Sequence, residues 1–145
     1  MTGRRARRPG EIAQAALHRQ RRAAHQAGIT ALEPGRDDLL RGALFETYVA
    51  QNLAALLEAH VPEAQLAFWH EQGRHEVDFV IETGRKVFGF EVKAATRWSA
   101  GDLSGLRAFL DRTPACVAAV LAYNGRESVK LGERLFAIPL GKLLE

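Results

Sequence analysis

Cysteine is nearly absent from this chain of 145 residues, which contains only Cys116. A single cysteine excludes an internal disulfide framework and a metal site built from several thiolates. Its neighbours between Ala115 and Ala119 are apolar, so we expect a buried core residue there. Because no disulfide can form within the chain, the sequence fits a reducing compartment, and we expect a cytoplasmic protein.

Long apolar runs are also missing. No stretch approaches the roughly 20 consecutive apolar residues that cross a bilayer, and the basic N-terminal segment lacks the apolar part of a secretory signal. We therefore expect no membrane partner. The 47% hydrophobic and 26% charged residues are typical of a globular domain, and the length suits one core.

Positive charge is concentrated at the start of the chain. Residues 1–36 contain eight arginines and two glutamates, whereas residues 37–145 contain twelve basic and fifteen acidic side chains. We interpret 1–36 as a mobile basic arm (residues 1–10) followed by a peripheral helix (Glu11–Ala27), and 37–145 as the folded domain. The arm either contacts nucleic-acid phosphates or is a flexible leader without that role.

The spacing of apolar residues predicts alternating helices and strands in the domain. We expect a helix from Asp37 to about Ala59, strands at Leu66–Glu71, Glu76–Glu82 and Lys86–Ala95, a helix over about Gly101–Asp111, and strands at Cys116–Tyr123 and Leu135–Pro139. The short links at Gly73 and Thr83-Gly84 predict an antiparallel meander of the first three strands. The nearly continuous apolar run of Cys116–Tyr123 is typical of a strand buried on both faces.

Glu46 is an unusual acid in the first helix. At 100° per residue it lies in the middle of a stripe of small and apolar residues that includes Ala43, Val49, Ala50 and Leu53. We therefore expect its carboxylate to face the interior, where a charge is costly unless a partner compensates it.

Two neighbouring strands supply the other chemical groups. Glu91 and Lys93 are two residues apart, so strand alternation predicts that they share one sheet face. On the preceding strand, Asp78 is expected to point away from the face that carries Val77, Phe79 and Ile81. If the strands pair around Thr83-Gly84, Asp78 lies beside Glu91, and the helix that bears Glu46 covers the same face.

Carboxylates gathered in one place require a compensating cation, and Mg²⁺ or Mn²⁺ on oxygen ligands supplies it. Asp78, Glu91 and Glu46 are therefore the predicted metal ligands, and the Lys93 ammonium can balance charge on a phosphate. The alternatives are structural: a solvated Glu91–Lys93 pair, an Asp78 that serves as a hydrogen-bonding group, or a Glu46 that pairs with Arg74.

Six segments between Gly42 and Leu144 match the pattern of a known family: Gly42–Glu46, Glu76–Val80, Glu91–Lys93, Asp102–Leu106, Leu121–Gly125 and Ala137–Leu140. This part of the chain resembles the C-terminal part of the DUF4143 domain, a member of the PD-(D/E)XK nuclease-like superfamily. The resemblance covers about two-thirds of the chain. It implies an α/β fold with an αβββαβ core, in which a central mixed sheet is flanked by helices.

The same resemblance implies a function. Glu46, Asp78, Glu91 and Lys93 would be the catalytic residues of a Mg²⁺-dependent nuclease, with DNA as the expected substrate. Members of the family usually follow an AAA-type ATPase on one chain, but no G-x-x-x-x-G-K-[ST] motif occurs here. One alternative is a non-catalytic nucleic-acid- or partner-binding module that works with a separate ATPase. Another is a truncated remnant of the family that folds but has no present task. A homodimer is also left open.

Residues near the predicted site are candidates for nucleic-acid contacts. Arg74 and His75 precede the Asp78 strand, and Arg97 follows the Lys93 strand, so all three can meet a phosphate backbone. Trp98 can stack on a base, although a residue that caps the core is the more frequent role of such a tryptophan.

Overall fold

The computed structural model describes residues 2–7, 38–71 and 74–145. Its helices are α1 (Asp38–His60), α2 (Ser104–Arg112) and α3 (Leu140–Leu143), with a 3₁₀ turn at Ala100–Leu103. Its strands are β1 (Thr2–Arg7), β2 (Gln65–Glu71), β3 (His75–Thr83), β4 (Lys86–Lys93), β5 (Cys116–Tyr123), β6 (Val129–Lys130) and β7 (Leu135–Pro139). The predicted order of helix, three strands, helix and strand is confirmed.

The seven strands of the described residues belong to one mixed sheet in the order β1-β2-β3-β4-β5-β7-β6. β2, β3 and β4 pair antiparallel in succession, which confirms the predicted meander of these three strands. β1 also pairs antiparallel with β2. β5 then joins β4 in parallel, and β7 joins β5 in parallel. A parallel neighbour requires a crossover, and α2 provides it between β4 and β5.

Helices cover both faces of this sheet. On one face, α2 packs Leu106 and Phe109 into a cluster with Val80, Val87 and Leu121. On the other, α1 packs Val49, Ala50 and Leu53 against Phe79 and Ile81, and α3 adds Leu140. Cys116 is buried in the first cluster, as expected. The result is a helix–sheet–helix arrangement with a core on each side of the sheet.

The turn between β3 and β4 follows from one glycine. Thr83 pairs with Lys86, which leaves a loop of Gly84 and Arg85. Gly84 has a φ of 59°, and no other described residue has a positive φ. Glycine at the first loop position with positive φ is typical of a type II′ hairpin turn, whose twist matches that of the strands.

Two expectations need correction. Residues Thr2–Arg7, predicted to be a mobile arm, form the edge strand β1 along β2. The expectation that Val77 shares a face with Phe79 and Ile81 is also wrong, because Val77 packs in the α2 cluster. The register of β2 and β3 shifts between Ala67 and Trp69, so a β-bulge breaks the alternation at this point. The predicted helix Glu11–Ala27 and the Gly73 turn lie outside the described residues.

Candidate active site

The sheet forks between β3 and β4. The antiparallel pairing of these strands ends with Phe79 opposite Phe90. Beyond that pair, β3 stays with β2 as far as His75, whereas β4 stays with β5 as far as Lys93. Main-chain hydrogen bonds therefore give way to a gap, and Asp78 and Glu91 are the first residues on its two sides.

Side chains replace the missing ladder bonds at the fork. The main-chain N–H of Val92 donates to Oδ2 of Asp78 at 2.8 Å. A hydrogen bond from the main-chain N–H of Asp78 acts on the carboxylate of Glu91. Each strand thus donates to an acid on the other strand, which holds both carboxylates at the fork. The predicted proximity of Asp78 and Glu91 is confirmed.

Glu91 has an unusual electrostatic environment. Burial raises the pKa of Glu91 from 4.5 to about 9, and the nearby charge of Asp78 is the next largest cause. The charges of Glu76 and Glu46 raise it further, whereas the Asp78 N–H lowers it. Oε2 of Glu91 is buried, and no donor among the described residues hydrogen-bonds to it. Several acids therefore converge on one buried oxygen that still has acceptor capacity.

The charge of Glu46 acts on the Glu91 carboxylate from the other side of the sheet. Phe88, Phe90 and Val92 pack on the α1 face of β4, so alternation puts Glu91 and Lys93 on the α2 face. The expectation that α1 covers the Glu91 face is therefore wrong. Glu46 is nevertheless half-buried, and its charge acts on Glu91. The open fork explains how an acid from the opposite layer can do so.

Lys93 lies on the α2 face and forms an ion pair with Asp102 in the 3₁₀ turn. The main-chain N–H of Ser99 donates to the same carboxylate oxygen at 2.7 Å, and Ser99 Oγ lies 3.1 Å from it. Burial alone would raise the pKa of Asp102, but hydrogen bonds from Lys93 and Ser99 outweigh it and lower the pKa. Asp102 is therefore a charged anchor that fixes where the Lys93 ammonium lies.

The donor set suits a hard cation only in part. No group of three or more histidine, cysteine, aspartate or glutamate side chains that could hold a metal ion occurs within residues 42–71 and 74–145. Mg²⁺ frequently uses one or two carboxylates and completes its shell with water and substrate oxygens. Asp78 and Glu91, with the buried oxygen of Glu91, fit that requirement. Glu46 as a third ligand stays a prediction.

The predicted nucleic-acid contacts lie toward the same end of the sheet. Since β3 and β4 run antiparallel, residues before Asp78 and after Glu91 lie beyond the fork. Arg74 and Arg97 are exposed there, and His75 is half-buried. Trp98 packs against the α2 cluster, which confirms that it caps the core. Whether the other three meet a nucleic acid stays a prediction.

Two acids of the site were not singled out from sequence. Glu76 acts on the pKa of Glu91, and Asp102 holds Lys93. A signal for Asp102 was present, because Ser99 and Asp102 have the S-x-x-D spacing of a capping box. That pattern, nine positions after Lys93, marks an acid fixed at the start of the helical segment that follows the motif strand.

Comparison with known proteins places the chain in a family. The profile of the domain of unknown function DUF4143 matches residues 41–143, which include the fork and both cores. The chain belongs to the DUF4143 family. No curated protein and no solved structure matches it. Among the described residues of this DUF4143 protein, no helix is long and apolar enough to cross a membrane.

Proposed function

We propose that this DUF4143 protein is a Mg²⁺-dependent nuclease of the PD-(D/E)XK superfamily that hydrolyses phosphodiester bonds, with DNA as its substrate. The buried Oε2 of Glu91 carries the proposal, because it lies among Asp78, Glu76 and Glu46 without a hydrogen-bond donor in the described part of the chain. A divalent cation is the partner that such an oxygen and its acidic surroundings fit best.

Each residue at the fork would have a separate role in the hydrolysis. Asp78 and Glu91 would hold Mg²⁺, with Glu46 close enough to add negative charge. Mg²⁺ supplies Lewis-acid polarisation of a phosphoryl oxygen. Lys93 would place its ammonium where negative charge develops on the phosphate, and Asp102 would keep the ammonium in that position. Arg74, His75 and Arg97 would contact the flanking backbone.

The alternative is a non-catalytic binding module, which we propose would work with a separate ATPase. The net negative charge of residues 37–145 favours it, since a nucleic-acid surface is usually basic. The ion pair between Lys93 and Asp102 also favours it, because it already engages the ammonium. Under both proposals the protein works in the cytoplasm, as a monomer or a homodimer.

Cleavage assays on the full chain separate these functions. Single-stranded and duplex DNA and the matching RNAs are incubated with Mg²⁺, with Mn²⁺ and with EDTA. We expect metal-dependent cleavage of DNA, reduced on the order of 10²-fold or more by Lys93→Ala, because a group that stabilises transition-state charge is lost.

Lys86→Ala is the matched control, since Lys86 is an exposed lysine at the other end of the same strand. It should cleave like the parent. Equal cleavage by the parent and Lys93→Ala would identify a contaminating nuclease. No cleavage of any substrate with either metal would leave the binding module as the function.

A further inference from the structure

An open pocket of about 370 Å³ adjoins the fork. Its lining comes from two adjacent strands and consists of Phe68, Trp69, His70, Glu76, Val77 and Asp78. Asp78 belongs both to this pocket and to the fork, so a group in the pocket would lie next to anything that Asp78 and Glu91 hold. The volume falls in the range of pockets that bind small molecules.

Aromatic side chains form one side of the pocket. The rings of Phe68 and His70 are stacked, with centroids 5.6 Å apart and an angle of 22° between the planes. His70 is exposed and Phe68 half-buried, so the pair presents ring surface to a ligand. Trp69 is packed edge-on against Phe109 and supports the strand from the core. Stacked phenylalanine and histidine rings are surfaces on which nucleobases stack.

The charged side chains of the pocket restrict what it can bind. Glu76 and Asp78 are carboxylates, so they repel phosphate and accept hydrogen bonds. A flat, uncharged ring with N–H donors fits such a lining. An anionic backbone does not.

We propose that this pocket binds an unpaired nucleobase, stacked on Phe68 and His70 with an amino edge toward Glu76 and Asp78, beside the phosphate at the fork. The inference rests on the proposed function in taking a nucleic-acid strand as the ligand. A base paired inside a duplex cannot enter a pocket without leaving the stack. The substrate is therefore single-stranded DNA or DNA with an extruded base.

Fluorescence of a short single-stranded DNA carrying one 2-aminopurine tests the pocket. Binding to the full chain is measured in Ca²⁺, and we expect quenching as the base stacks. Phe68→Ala should weaken binding roughly five- to 150-fold, the range for loss of one aromatic stack. His70→Ala, at an exposed position with little consequence for folding, should weaken it in the same direction.

Phe136→Ala is the matched control, because Phe136 is a half-buried phenylalanine on a sheet strand outside the pocket. Thermal scans of all three variants identify any that fail to fold. Unchanged affinity in both pocket variants, equal affinity for a blunt duplex, or no binding of any oligonucleotide would overturn the proposal.

The pocket and the nuclease proposal fail separately. Metal-dependent cleavage together with normal DNA binding by Phe68→Ala and His70→Ala would contradict the base-binding pocket and support the nuclease. Binding that depends on Phe68, without cleavage under any metal, would remove the nuclease and leave a base-binding module.

Discussion

Glu91 is the residue on which the site depends most, because folding buries it among other acids. Its pKa of about 9 means that the folded protein keeps this proton at neutral pH when no cation is near. A divalent cation would take the place of that proton. Sequence alone placed Asp78 beside Glu91 correctly. It gave no information on the burial of Glu91 at the fork, since that burial depends on where the pairing of β3 and β4 ends.

The stability of the metal-free protein should therefore depend on pH through Glu91. Below pH 4.5 the Glu91 carboxyl is protonated in both the folded and the unfolded protein, so its ionisation does not change the free energy of unfolding. Between pH 4.5 and 9 the unfolded chain loses the proton and the folded protein keeps it, so the free energy of unfolding falls as pH rises, by at most about 1.4 kcal/mol per pH unit. Glu91→Gln cannot ionise and should lack this decline.

Thermal scans in EDTA at several pH values between 5 and 9 measure the difference. The melting temperature of the parent should fall relative to that of Glu91→Gln as pH rises. Glu133→Gln, at an exposed glutamate outside the fork, should run parallel to the parent. Parallel curves for the parent and Glu91→Gln would show that Glu91 ionises normally in the folded protein.

At the level of elements, hairpin positions were predictable and the details of packing were not. Thr83-Gly84 predicted the turn that pairs β3 with β4, because glycine accepts the positive φ that the turn requires. The bulge near Asp78 was not predictable, since nothing in the alternation of Val77, Phe79 and Ile81 signals an extra residue. The side of the sheet that α1 covers likewise depends on this bulge and on the crossover through α2.

The close approach of α2 to β3 depends on Gly105. A Cβ at Gly105 would lie 2.1 Å from the main-chain oxygen of Glu76, far inside van der Waals contact. Gly105→Ala should therefore push α2 away from β3. We expect the free energy of unfolding to fall by more than about 1–3 kcal/mol, the usual cost of overpacking, because the atom that the new Cβ meets belongs to the main chain and cannot rotate away.

Gly42→Ala is the matched control in α1, where a Cβ would meet nothing within 4 Å. It should stabilise the protein by about 0.5–1 kcal/mol, since alanine is the better helix former. Denaturant unfolding of both variants gives the two free energies. Equal effects of the two substitutions would mean that α2 does not pack closely on β3.

For the whole molecule, the family resemblance predicted a central mixed sheet flanked by helices, and this is confirmed. The order beyond β4 was not specified, because the apolar run of β5 fits any central position. The first strand was missed because Thr2–Arg7 is rich in arginine and lacks the alternation of a half-buried strand. Its pairing with β2 puts the most basic segment at the edge of the sheet, beside the strand that carries Phe68 and His70.

The role of this segment in structure and its role in charge can be separated by two variants. Deleting residues 1–8 removes β1 and leaves the edge of β2 unpaired, so the melting temperature should fall. Replacing Arg4, Arg5, Arg7 and Arg8 with glutamine keeps the main chain of β1 and should change the melting temperature little.

The glutamine variant also tests whether the arginines contact phosphates. If they do, the slope of log K against log salt should fall by at most roughly 2.8 on single-stranded DNA, about 0.7 for each contact. Salt titrations of binding provide the slope, and thermal scans provide the stability. An unchanged slope would show that the arginines do not contact DNA phosphates. An unchanged melting temperature after the deletion would show that β1 does not stabilise the sheet. β1 pairs with the part of β2 that carries Phe68 and His70, so the deletion also changes the surroundings of the pocket, whereas the glutamine variant keeps β1 and tests charge alone.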